Sequence, residues 1–213
     1  AGNRLKSHLK AAAVRDRALQ PGPLRLLYVG MVTPRKGLVP LIYALSRFSA
    51  FDWRLDVVGD LAVDPVYAER ARTLAAALGM KDRVRFRGFL PDAALFGRMA
   101  AAHVLCMPFA YEGFGIGMAE AMAHGLPVIG STEGAAGEQV QNGRNGFLIP
   151  PGGADVLLSR LQSLELDRER LSRMGVAALS HAKKAPSWRD SMEKIHQFLS
   201  RMCEESRRER KLP

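Results

Sequence analysis

Six short β-rich runs alternate with helical stretches along this chain, and that alternation constrains its fold more than any other feature. The runs are LRLLYVG (24–30), WRLDVVG (53–59), RVRFRGF (83–89), HVLCMPF (103–109), PVIGS (127–131) and GFLIP (146–150). Between them lie GLVPLIYALSRF (37–48), with Pro40 acceptable in a first helical turn, and DPVYAERARTLAAALG (64–79), with Pro near its start and Gly at its end. PDAALFGRMAAA (91–102), a helix ending at Gly125, and GEQVQNG, one helical turn or two, complete the alternation. Strands and helices joined by short connections predict an α/β fold: a parallel sheet of about six strands with helices on both faces. HVLCMPF is apolar enough to be a central strand.

Three further helical stretches close the chain: ADVLLSRLQSL, DRERLSRMGVAALSHA and SWRDSMEKIHQFLSRMCEESRRER. The expected organisation is a basic linker or helix over 1–20, one compact domain over 21–185, and an amphipathic basic helix over 186–213. There is no internal repeat. No apolar run has the length of a bilayer span. The opening AGNRLKSHLK lacks the apolar segment of a signal peptide. It also lacks an initiator Met, so a processed chain or a piece of a longer one is expected.

The formal charge of +10 sits largely at the two ends. Arg4, Lys6, Lys10, Arg15 and Arg17 crowd the first seventeen positions, and Arg207, Arg208, Arg210 and Lys211 the tail. Such a balance suits an anionic partner, either a membrane surface or a phosphorylated ligand, or is ordinary solvated surface. Aromatics are few and no nucleic-acid module is recognisable, so nucleic acid is not an expected partner. The two cysteines, Cys106 in an apolar run and Cys203 in a charged stretch, are not expected to pair, which fits a reducing, cytoplasmic setting.

In parallel sheets ligands bind beyond the carboxyl ends of the strands. The loops there are MVTPRKG, GDLAVD, GFLPD, AYEGFG and STEGAAG. None is a familiar phosphate loop. The turn after the first strand, GMVTPRKG, fails the dinucleotide pattern, glycines 113, 115 and 117 fail its spacing, and no Walker A loop is present. No D-x-D pair suggests a carboxylate-held metal, and no Ser or Cys stands in a nucleophile elbow.

The remaining loops have complementary chemistry. Arg35 and Lys36 precede a helix, so two cations and a helix N-terminus can meet one diphosphate. The loop YEGFGIGMAE (111–120) offers glycine-freed N–H groups to the same anion. A carboxylate beside a phosphate would repel it, so Glu112 and Glu120 are expected to accept hydroxyls, as sugar and ribose diols present them. Together the loops point to a sugar joined through a diphosphate to a nucleoside.

The E-x7-E of EGFGIGMAE, followed by AMAHGLPVIGS, resembles the signature of the retaining "group 1" glycosyltransferases of GT-B architecture. LLYVGMVTPRKGL resembles that family's first strand and diphosphate-binding Lys loop. DRVRFRGFLPDAAL resembles its nucleoside-binding strand, and GAAGEQVQNGRNGFLIPP its Glu and Asn-Gly turn. The resemblance covers about residues 24–165. It implies a Rossmann-like domain, one half of a GT-B fold, which binds the nucleoside-diphosphate-sugar donor without a metal or other cofactor. Lys36, assisted by Arg35, would hold the diphosphate. Glu112 would bind the donor sugar, with Lys36 and Glu112 the catalytic pair. Gly30 and the backbone amides of Gly113, Phe114, Gly115 and Ile116 would line the phosphates and sugar. Glu120 would bind the ribose, the backbone around Phe89 would touch the base, and Glu138 would tie its loop to the next helix.

Two departures stand out. Met31 occupies the place where the family usually carries Arg. The chain also has room for the donor-binding half alone, so the acceptor-binding N-terminal half is expected elsewhere. The closing helix would cross back to that half, and its basic end would suit an anionic membrane surface on the cytoplasmic side. Alternatives of the same architecture are a nucleotide-sugar epimerase or a phosphorylase. A non-catalytic nucleotide-sugar-binding module is the alternative outside enzymes.

Overall fold

The computed structural model of the chain describes residues 9–49, 51–108, 111–185 and 188–209, except the side chains of 188 and 204–209. Phe109, at the end of the expected fourth strand, and the basic residues Arg4, Lys6, Arg210 and Lys211 lie outside the described residues.

The elements run α1 (Ala11–Leu19), β1 (Leu24–Val29), a 3-10 turn (Pro34–Lys36), α2 (Leu38–Ser46), β2 (Trp53–Val58), α3 (Pro65–Ala77), β3 (Val84–Gly88), α4 (Asp92–Ala101), β4 (Val104–Met107), α5 (Ile116–Ala123), β5 (Val128–Ser131), α6 (Ala136–Gln139), β6 (Gly146–Ile149), α7 (Ala154–Leu166), α8 (Arg168–Lys184) and α9 (Trp188–Glu209). All six expected strands are present, and every pairing between them is parallel. The sheet order is β3-β2-β1-β4-β5-β6. The chain therefore winds outward from β1 to β3, returns to the middle with β4, and winds outward again to β6. Strand order reverses between β1 and β4, and a crevice opens at their carboxyl ends.

Burial follows from this winding. Every residue of β4 and β5 is buried, as helices cover both faces. Leu26, Leu27, Tyr28, Leu55, Val57, Leu105, Ile129 and Phe147 fill the centre of the core. The edge strand β3 is protected by charge. Its Arg87 Nε donates to Asp56 Oδ1 on β2 at 2.8 Å, and Arg98 of α4 lies 3.5 Å from the other Asp56 oxygen. At α3 the side chain of Asp64 accepts from the Tyr67 N–H at 2.9 Å, which fixes the helix start one residue after the expected one.

Residues 11–19 fall in the segment expected to be a basic linker or helix; they form α1, which packs against α8 and places Val14 and Ala18 in the interior. Its Arg17 is buried among backbone carbonyls. The guanidinium donates to Met99 O and Ala100 O near the end of α4, and to His124 O and Gly125 O just past α5, at 3.3, 3.2, 3.0 and 2.6 Å. These are acceptors that a helix end leaves without intrahelical partners, and the cation also complements the negative poles of both helices. Burial, and then the nearby Arg25, push the Arg17 pKa down to about 10. In packing terms the domain begins at α1.

His103, just before β4, is held by the same corner. Its Nδ1 accepts from the Arg25 N–H and from Arg168, each at 3.1 Å, and its Nε2 donates to Arg17 O at 3.0 Å. Burial, and then the surrounding arginines, push its pKa down to about 3, so the ring is neutral. At the other end of the chain α9 is amphipathic as expected. Met192, Ile195, Leu199 and Met202 form one exposed apolar line at helical spacing, with Phe198 beside it.

Candidate functional site

The loops that follow β1 and β4 meet over the crevice. After β1 the chain makes the 3-10 turn Pro34–Lys36, which the Gly37 N–H closes onto Pro34 O at 3.0 Å. That turn tucks Lys36 inward, so that only 7% of it is exposed, while Arg35 stays on the surface. After β4 the chain runs through Tyr111–Gly115 into α5. The two loops are laced together, since the Tyr111 N–H donates to Arg35 O and the Arg35 guanidinium donates to Tyr111 O, both at 3.1 Å. Arg35, expected as a second diphosphate cation, thus braces the loops with its side chain.

Lys36 and Glu112 form the centre of the site. The Lys36 Nζ donates to Glu112 Oε2 at 2.5 Å across 76 residues of sequence. The Gly115 N–H, at the N-terminus of α5, lies close enough to the Glu112 carboxylate to favour its charged form. Burial works against ionisation of Glu112, but the Lys36 ammonium, the Gly115 N–H and Arg35 outweigh it and hold the carboxyl below its ordinary value. A buried ammonium thus pairs with one carboxylate beside the N-terminus of α5, a position whose dipole favours negative charge.

The Glu112 loop is fixed from behind. Glu112 forms an isolated parallel bridge with Gly134, and the Ala135 N–H donates to Glu112 O at 2.7 Å. A Cβ on Gly134 would lie 2.4 Å from Glu112 O, and φ there is +76°, so the approach requires glycine. Gly115 has φ of +79° and starts α5. Its carbonyl, and that of Phe114, accept from Gln139 Nε2 at 3.3 and 2.6 Å. The brace expected of Glu138 is thus supplied by its neighbour. On a helix adjacent residues point about 100° apart, and here Gln139 faces the glycine loop while Glu138 is exposed.

The other expected site residues are placed as follows. Gly30 ends the β1 side of the crevice, and a Cβ added there would meet the Lys36 stem at 3.9 Å. Gly113 is exposed, and Phe114 and Ile116 project outward on the rim. Met31 is exposed on the same edge. Glu120 lies one turn into α5 and is buried, in contrast to Glu112 at the mouth. Phe89 follows β3, two strands from β1, which places it about 10 Å along the carboxyl edge from the end of β1. Its side chain is 76% exposed. Among the described residues no cluster of His, Cys, Asp and Glu could hold a metal ion.

Fold and site together define a doubly wound α/β domain with the buried Lys36–Glu112 pair at its switch point, where ligands bind in sheets of this kind. The chain belongs to the family "Glycosyl transferases group 1", whose model matches residues 11–181. It is 33% identical over 182 residues to the D-inositol 3-phosphate glycosyltransferase of Streptomyces bingchenggensis, covering 82% of this chain and 40% of that protein. Among solved structures, sucrose-phosphate synthase from Thermosynechococcus elongatus superimposes with a TM-score of 0.79 at 27% identity, over 96% of this chain and 52% of that one. Anabaena HepE in complex with UDP and glucose gives 0.77 at 27% identity, over 92% of this chain and 54% of that one. The six-stranded parallel sheet thus matches the Rossmann-like domains of GT-B enzymes. The chain spans about half the length of these proteins, or less. Among the described residues no helix is long and apolar enough to cross a membrane.

Proposed function

We propose that this domain binds the nucleoside-diphosphate-sugar donor of a retaining, metal-independent glycosyltransferase. The observation that carries the reading is the buried Lys36 ammonium paired with Glu112 at the switch point, beside the N-terminus of α5. Transfer of the sugar breaks its bond to the diphosphate and builds negative charge on the departing oxygen. An ammonium and a helix N-terminus held in place before that charge appears lower the barrier without reorganising. Loss of one such donor typically costs about 2.7–4 kcal/mol. Lys36 supplies the charge and α5 the dipole. Glu112, once displaced from Lys36 by the diphosphate, is free to accept hydroxyls of the donor sugar. Glu120, deeper on α5, is assigned to the ribose, and the backbone at Phe89 to the base.

The complex of Anabaena HepE with UDP and glucose supports a nucleotide-sugar ligand for a domain of this shape. The exposed apolar line of α9 supports a further part of the protein, the acceptor-binding half, lying against it. On this reading the 213-residue chain binds donor but transfers no sugar unaided. The test is a calorimetric panel of UDP, GDP and ADP and their sugars, repeated in excess chelator. Saturable binding of one diphosphate, unchanged by chelator, is expected. No binding by any of them refutes the donor reading, and binding abolished by chelator refutes metal independence.

A further inference from the structure

We infer that Gln139 is a positioning residue of the donor site, which aims the Gly115 amide at the diphosphate. The inference rests on the donor-binding reading above. A peptide unit is planar, so its C=O and N–H point in opposite directions. In the unit joining Phe114 to Gly115, the carbonyl accepts from Gln139 Nε2 at 2.6 Å, so the N–H points the opposite way, and it is near enough to the Glu112 carboxylate to favour its charged form. Pinning one end of the unit therefore aims the other.

The loop needs such a pin. Glycines at 113, 115 and 117 make alternative peptide orientations readily accessible, and Gly115 already sits at positive φ. A Cβ at Gly115 would come within 2.8 Å of Gln139 Nε2, so the clamp fits against the bare glycine. The clamp is itself anchored, because the buried Asn145 donates from Nδ2 to Gln139 O at 3.1 Å and accepts from the Gln141 N–H at 2.7 Å. Gln139 Nε2 donates to both carbonyls. A glutamate in its place would present acceptors to two acceptors. The side chain touches no ligand position itself and acts through the amide it orients.

The test compares wild type with Gln139→Met, which keeps the length of the side chain and removes its donors. Calorimetry measures the nucleoside diphosphate that binds best in a panel of UDP, GDP and ADP, and its parent nucleoside. Gln139→Met is expected to weaken the diphosphate about tenfold, the scale of one hydrogen bond to a charged group, while nucleoside affinity stays within about twofold. In amide NMR of the wild type, the Gly115 N–H resonance is expected to move strongly on adding the diphosphate and not on adding the nucleoside. Equal loss of both ligands, or loss of neither, overturns the inference. If Gln139→Met does not fold, a Gly115 resonance in wild type indifferent to diphosphate overturns it. Wild type that binds no diphosphate at all refutes the donor reading instead, and the inference with it.

Discussion

Glu112→Gln separates two jobs that the donor-binding proposal gives to one carboxylate. In the structure the Glu112 carboxylate holds the Lys36 ammonium at 2.5 Å, with the Gly115 N–H close enough to favour its charge. A diphosphate that takes those two donors must first displace it. A hydrogen bond between charged partners contributes about 1.5–3 kcal/mol net, and a neutral one about 1 kcal/mol. Glutamine keeps a neutral acceptor in the same place, so displacement becomes easier by roughly 0.5–2 kcal/mol, or about 2- to 30-fold in affinity. Removal of the negative charge beside the phosphates acts in the same direction. The sugar-bearing donor behaves differently, because the displaced carboxylate is released to its hydroxyls, and glutamine offers them a weaker acceptor. Glu112→Gln is therefore expected to tighten the bare nucleoside diphosphate and to shrink or reverse the preference for its sugar. Titration calorimetry of both ligands on wild type and variant reads the two effects side by side. If the diphosphate binds the variant more weakly than wild type, Glu112 is a brace or a ligand contact for the diphosphate, and the displacement mechanism is wrong.

Two further expectations concern stability. His103 is neutral in the fold with its pKa near 3, whereas an unfolded histidine titrates near 6.5, so the unfolded state binds the extra proton throughout that interval. Stability is then expected to fall as pH drops below about 6.5, with a slope of up to about 1.4 kcal/mol per pH unit from this group. His103→Gln, which cannot protonate, is expected to flatten the decline between pH 6.5 and 5 in denaturant titrations. Parallel curves for both proteins would place the proton uptake elsewhere. Arg17→Met removes the cation from four helix-end carbonyls and is expected to cost about 3 kcal/mol, which lowers the melting midpoint by roughly 6–12 °C in calorimetry. A change under about 1 kcal/mol would show that water replaces the guanidinium at those carbonyls.

The architecture was legible because alternation and apolar runs are local properties, and strand positions match the expected ones to within a residue or two at most ends. Lys36 and Glu112 were legible as candidates through their loops, but their direct pairing across 76 residues was not, because it depends on which strands are neighbours. Lys36 looks in sequence like half of a solvated Arg-Lys pair, and it is the 3-10 turn that buries it and leaves Arg35 outside. Arg17 was hidden in a basic stretch that reads as surface, because its partners are carbonyls more than eighty residues away. Gln139 carried no signal, since an amide on a one-turn helix has many uses. Its role is set by the direction in which α6 faces the glycine loop.

Because the Lys36–Glu112 site straddles β1 and β4, it belongs to a seam between two halves of the sheet, β1–β3 on one side and β4–β6 on the other. Each half delivers one partner of the Lys36–Glu112 pair. Loop closure over so long a stretch is entropically costly, so contacts inside each half are expected to precede the seam during folding. A nascent chain that has made only its first three strands lacks the Glu112 half of the site, and on the proposed function nucleotide recognition would arise in a single event when the halves dock. Ligand at one hundred times its dissociation constant then adds about 2.7 kcal/mol against any opening that parts them. A donor-saturated domain should resist proteases across its whole length, and not at the glycine loop alone.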